Sequence, residues 1–104
     1  METIKNKLTF YIDIDNTICI TTGDDYEHAK PLYTRIARIN KLYKQGHLIV
    51  FYTARGSGSG IDWRELTEKQ LNEWGVLRHS LQFGKPVYDV FIDDKAMSDH
   101  QFFK

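Results

Sequence analysis

Four acidic side chains, one hydroxyl and one ammonium occur where runs of strand-forming residues have just ended. Leu8 to Ile14 is mostly apolar, β-branched and aromatic, and it closes on Asp13-Ile14-Asp15-Asn16-Thr17. Leu48 to Tyr52 closes on Thr53, Leu81 to Phe83 is followed by Lys85, and Val87 to Ile92 runs into Asp93-Asp94. A carboxylate flanked by apolar residues, as Asp13 is, is costly unless it is paired or bound to a cation. Carboxylates offer hard oxygen ligands to a cation and can act as nucleophiles. Each piece alone has an ordinary explanation: an acidic pair caps a turn, a threonine suits a strand, and a lysine in Gly84-Lys85-Pro86 sits in a loop. Their recurrence at four successive strand ends is what points to a site.

The elements that must position these groups follow from local pattern. Leu8–Ile14 and Leu48–Tyr52 read as buried strands. Thr17 to Lys30 contains Thr-Thr-Gly-Asp-Asp and reads as a loop or short hairpin. Pro31 suits a first helical turn, Ile36, Ile39, Leu42 and Tyr43 recur at helical spacing, and Gly46 stands where a C-terminal cap belongs. After Gly56-Ser57-Gly58-Ser59-Gly60, Asp62 and Glu65 have capping-box spacing ahead of a helix carrying Leu66, Leu71 and Trp74, which Gly75 ends. Leu81–Phe83 and Val87–Ile92 read as third and fourth strands. Strands alternating with helices predict an α/β, Rossmann-like three-layer sandwich on a small parallel sheet of about four strands with right-handed crossovers. In such a sheet ligands bind beyond the carboxyl ends of the strands, which is where the polar residues fall.

The chain has 104 residues, enough for one domain spanning 1–104 and too few for two. With 41% hydrophobic and 27% charged residues, the composition belongs to a globular core rather than to disorder. Lys plus Arg and Asp plus Glu are equal at 14 each, so bulk charge gives no reason to expect nucleic acid or an anionic membrane as partner. Cys19 is the only cysteine, which rules out an internal disulfide framework. Lys5, Lys7 and Asp13 interrupt any secretory segment near the start, and no apolar run approaches the ~20 residues of a membrane span. A cytoplasmic location is the default expectation.

The ordered set resembles the four motifs of the haloacid dehalogenase (HAD) superfamily of phosphatases. Asp13-Ile14-Asp15-Asn16-Thr17 is similar to the Asp-x-Asp-x-Thr signature, Thr53 to the second motif, Lys85 to the third, and Asp93-Asp94 after Val90-Phe91-Ile92 to the fourth. The resemblance covers Leu8 to about Ala96. Tyr52-Thr53-Ala54-Arg55-Gly56, Gln70-Leu71-Asn72-Glu73-Trp74-Gly75, Phe83-Gly84-Lys85-Pro86 and Ile92-Asp93-Asp94-Lys95-Ala96 further resemble small members encoded with capsule or surface-polysaccharide genes, and the phosphatase domain of polynucleotide kinase. Asn16 departs from the family's usual glycine, a tolerable change because Asn also adopts left-handed turn conformations.

The resemblance implies a HAD-like fold and a magnesium-dependent phosphomonoesterase acting through an aspartyl-phosphate, on a sugar phosphate or similar small metabolite of polysaccharide biosynthesis. Asp13 would attack phosphorus, and Asp15 would protonate the departing oxygen and later activate water. Thr53 and Lys85 would hold the phosphoryl oxygens. Mg2+ would be bound by Asp13, one or both of Asp93 and Asp94, and the backbone carbonyl of Asp15. Arg55 is a candidate for forking onto a substrate phosphate or carboxylate. His47 begins the second strand at the end opposite the site and reads as structural, His28 and His79 carry no motif, His100 lies in the tail, and Trp63 either covers the pocket or packs. Larger relatives insert a cap domain; here Thr17–Lys30 is long enough only for a flap, so an open site is expected. An uncovered sheet edge would favour a homo-oligomer. Two other functions remain open at this stage, a phospho-accepting receiver domain and a HAD-like binding module without catalysis. His79–Phe83 lacks the acceptor aspartate that a receiver places at the end of a central strand.

Overall fold

The computed structural model describes residues 6–104. Its elements in chain order are β1 (Thr9–Ile12), β2 (Cys19–Ile20), β3 (Lys30–Pro31), α1 (Tyr33–Lys44), β4 (Leu48–Thr53), α2 (Arg64–Glu73), β5 (Ser80–Phe83) and α3 (Asp99–Phe102). β1, β4 and β5 form a parallel sheet in that spatial order. Its register sets Phe10 beside Ile49, Ile12 beside Phe51, and Phe51 beside Leu81. β2 and β3 make a separate antiparallel hairpin with a 3₁₀ turn at Tyr26–His28 between them.

Strand alternation puts Phe10, Ile12, Ile49, Phe51, Thr53 and Leu81 on one face of the sheet. Most of these join Ile36 and Ile39 of α1, Leu71 of α2, and Val76 in a single buried cluster with Ile14, Ile18 and Cys19. Both crossovers progress in the same direction across the sheet, so right-handed connections deliver α1 and α2 to the same face. Asn40 of α1 ties them further, donating to the Gly75 carbonyl and accepting from the Leu77 amide, both at 2.8 Å. The opposite face carries Tyr11, Tyr52 and Gln82, with Tyr11 59% exposed. The α/β class and parallel sheet therefore hold, but among the described residues the helices form one layer rather than the two of a three-layer sandwich.

The expected fourth strand is also absent among the described residues. Val87–Ile92 pairs with no strand, and its side chains are solvent-facing, Val87 at 73% and Ile92 at 91% exposure. Apolar, β-branched content alone does not make a strand; a ladder partner must be within reach. Only Gly84-Lys85-Pro86 separates this segment from β5, whereas parallel neighbours need a crossover of about a dozen residues. Beyond it, Ser98 caps α3 by accepting the Gln101 amide at 3.2 Å. Asp99 accepts Arg35 of α1 at 2.7 Å, and Phe102 packs edge-on against Phe10.

Local expectations elsewhere hold in part. Gly46 and Gly75 follow α1 and α2 with positive φ, as C-terminal caps require. Pro31 ends β3 instead of opening α1. The capping box does not form: Trp63 is the N-cap of α2 with no side-chain cap bond, and Asp62, one residue earlier, accepts the Arg64 amide at 3.0 Å. His47 and His79 serve the backbone: their Nδ1 atoms accept the Leu8 and Ile49 amides, each at 3.1 Å. Among the described residues no helix is long and apolar enough to cross a membrane.

Candidate functional site

The chain after β1 turns tightly, with the amides of Thr17 and Ile18 both donating to the Ile14 carbonyl at 3.1 and 3.0 Å. Asn16 makes the turn in the left-handed region (φ 63°), and its side-chain oxygen accepts the Thr21 amide at 3.1 Å. This is the conformation that Asn supplies in place of glycine. The turn leaves Asp13 half-buried at the carboxyl end of β1. Thr17 donates to its Oδ2 at 3.0 Å, and Lys85 Nζ lies 3.2 Å from its Oδ1.

Lys85 is held by its backbone from two sides. Its amide donates to the Thr53 carbonyl at 3.2 Å, and its carbonyl accepts the Ser57 hydroxyl at 2.7 Å. The glycine-serine loop thus anchors the lysine. That loop needs glycine at 56, where φ is +83° and an added Cβ would lie 2.1 Å from the Ile61 carbonyl oxygen. Burial pulls the Lys85 ammonium toward a lower pKa, but the Asp13 carboxylate and a hydrogen bond that the ammonium donates to Tyr88 outweigh it, and the net shift is upward. Lys85 is therefore a cation throughout the neutral range.

Asp15 points into a different set of partners. Arg55 forks onto it, Nε to Oδ2 and Nη2 to Oδ1, both at 2.9 Å. Thr21 adds a hydroxyl to Oδ1 at 2.6 Å. The Arg55 side chain is fully buried. Its remaining nitrogen donates to Gln70 at 2.7 Å and Thr67 at 3.0 Å, and Tyr26 stacks over it at 4.7 Å. Gln70 in turn donates to the Tyr26 carbonyl at 2.6 Å, and Trp63 packs edge-on against the Tyr26 ring. Burial pushes the Tyr26 hydroxyl up, with the Asp15 charge adding to the effect. Burial likewise raises Cys19, so it stays a neutral thiol and is no nucleophile.

Asp13, Asp15, Tyr26, Arg55, Lys85 and Tyr88 are among the residues lining an open cleft of about 310 Å³, near the lower limit for small-ligand sites. Of the residues expected from sequence, Asp13, Asp15, Arg55 and Lys85 converge here. Thr53 does not line the cleft; it is buried beneath it, its hydroxyl accepting the Arg55 amide at 3.1 Å. Arg55 spends its fork on Asp15, not on an exposed ligand position. Asp93 and Asp94 are exposed on the segment after 87–92 and do not line the cleft. Among the described residues no three His, Cys, Asp or Glu side chains are gathered to hold a metal ion. Of the expected magnesium ligands, Asp13 and Asp15 meet at the cleft, where the Asp13 carboxylate is paired with Lys85, while Asp93 and Asp94 are not among the residues that line it.

Thr21, Tyr26, Thr67, Gln70 and Tyr88 escaped the sequence reading. Thr67 and Gln70 did leave a trace. They lie at i and i+3 on the face of α2 that carries Leu71, and two polar residues in a buried stripe require buried partners.

No protein-family model matches the chain, and no curated protein matches it. A crystal structure of a protein from Vibrio cholerae is similar, with a TM-score of 0.81 and 24% identity over 91% of this chain and 86% of that one. At this identity the likeness establishes the α/β fold alone.

Proposed function

We propose that this chain is a phosphomonoesterase of the HAD type in which Asp13 is the nucleophile. The observation that carries this is the pairing of Asp13 with Lys85, an anion and a cation brought together from the ends of β1 and β5 at the rim of a small cleft. A phosphate ester and a carboxylate repel each other, so attack requires a cation between them, and Lys85 is positioned to supply one. Asp13 attacks phosphorus in line; a carboxylate oxygen–phosphorus bond forms as the ester oxygen–phosphorus bond breaks. Asp15 delivers a proton to the departing oxygen. It then takes one from the water that attacks phosphorus, which releases phosphate and restores Asp13. Thr17 holds the second oxygen of Asp13 during attack.

The cleft volume suits a small phosphorylated metabolite, and the sequence resemblance favours a sugar phosphate of polysaccharide biosynthesis. Magnesium enters through that resemblance only, and no step above is assigned to it. Phosphate release from p-nitrophenyl phosphate tests the proposal: the wild type turns over, and Asp13→Asn falls to background. Full activity in Asp13→Asn removes Asp13 as nucleophile.

The scattered carboxylates favour a second reading, a phosphate-binding module without turnover. Binding of phosphorylated sugars by a wild type that hydrolyses none of them, with magnesium present, selects it.

A further inference from the structure

Asp15 must pass a proton in both directions under the proposed chemistry, and its surroundings restrict how. A carboxylate has about four acceptor sites, two on each oxygen. Thr21 and Arg55 Nη2 fill both sites of Oδ1, at 2.6 and 2.9 Å, while Arg55 Nε takes one site of Oδ2 at 2.9 Å. One site on Oδ2 is left. The same guanidinium is also fastened to α2 through Thr67 and Gln70, and lies under the Tyr26 ring. Gln70 closes the loop by binding the Tyr26 carbonyl at 2.6 Å.

We infer that Arg55 is a positioning residue: it sets Asp15 in one orientation with Oδ2 as the proton-transferring oxygen, and with Gln70 it ties the flap around Tyr26 to the same frame. The inference rests on the phosphatase proposal for its chemical consequence, but the tie between Arg55 and the flap stands on geometry alone. A fork of two parallel N–H bonds fixes direction as well as distance, which a lysine's single ammonium cannot do. The buried network has no side-chain polar atom without a partner, so its members hold one another in place.

Leaving-group dependence is the readout that distinguishes positioning from a general structural role. An alkyl phosphate needs its departing oxygen protonated, whereas p-nitrophenolate leaves unaided. Arg55→Lys is expected to lose about 10²-fold in kcat on an alkyl phosphate and less than about tenfold on p-nitrophenyl phosphate, with KM little changed. Thr21→Val, which leaves the buried charge intact, should show the same selectivity to a smaller degree if Arg55→Lys fails to fold. Equal losses on both substrates overturn the inference. Amide hydrogen exchange supplies the arm that does not depend on turnover. Residues 22–29 should exchange faster in Arg55→Lys and in Gln70→Leu, while β4 stays protected. Unchanged flap exchange overturns the tie even where the wild type proves inactive on every ester, an outcome that by itself removes only the phosphatase proposal.

Discussion

Lys85 Nζ stands 3.2 Å from Asp13 Oδ1, while the other oxygen of Asp13 accepts Thr17 at 3.0 Å. Each carboxylate oxygen thus has its own donor, one charged and one neutral. The lysine's backbone is clamped between Thr53 and Ser57, so the pairing is set by the framework and not by a free side chain alone.

Lys85→Met keeps most of the stem and removes the charge. It is expected to lower kcat on p-nitrophenyl phosphate by about 10²–10³-fold, the usual effect of deleting one preorganised electrostatic contact. Steady-state kinetics with a circular-dichroism check of folding measure it. A loss confined to KM would mean that the ammonium holds the ground state and the transition state equally.

Magnesium dependence separates the sequence resemblance from the arrangement around Lys85. If the resemblance carries over to the metal, chelation with EDTA stops phosphate release and added Mg2+ restores it. In that case Asp93→Asn and Asp94→Asn together also raise the magnesium concentration needed for half-maximal rate. Undiminished turnover in EDTA would leave Lys85 as the cation that the chemistry uses.

Gly56→Ala is expected to destabilise the chain by more than about 1 kcal/mol, because it combines a positive φ with a backbone clash at Ile61. Urea unfolding at unchanged slope reads the loss. Since this loop carries Ser57, turnover should fall as well. Wild-type stability would show that the loop moves freely.

Acid should loosen the C-terminal helix. The hydrogen bond from Arg35 holds Asp99 below its ordinary value of 3.8. A depressed carboxylate stabilises the fold above its unfolded pKa, and that contribution is lost as pH falls through the lower folded value. Wild type should therefore lose its advantage over Asp99→Asn as pH drops below 3.8, read from the urea midpoint at each pH. Arg35 also donates to the Thr17 carbonyl at 3.0 Å, so the turn that carries Asp13 should loosen together with α3. A pH-independent difference between the two proteins would assign the contact no linkage.

Patterns with a short period were legible along the chain. The apolar run Leu48–Tyr52, the helical recurrence of Ile36 and Ile39, the glycines after α1 and α2, and the turn at Asn16 all depend on residues a few positions apart. A strand or a helix imposes its own spacing, so these elements could be placed without knowing the rest of the fold. The acidic ends of the strands were legible for the same reason, since a carboxylate within an apolar run is conspicuous.

What tertiary structure decided is which distant side chains meet. Arg55 reads from its neighbours as a loop residue facing either a ligand or solvent, yet its fork closes on Asp15, and Gln70 of α2 reaches Tyr26 in the flap. Nothing local encodes such pairs; they arise from the order of strands and the face to which each helix is delivered. Val87–Ile92 shows the converse. Its composition is that of a strand, but a strand exists only where another backbone offers its hydrogen bonds, and a three-residue link from β5 brings none within reach.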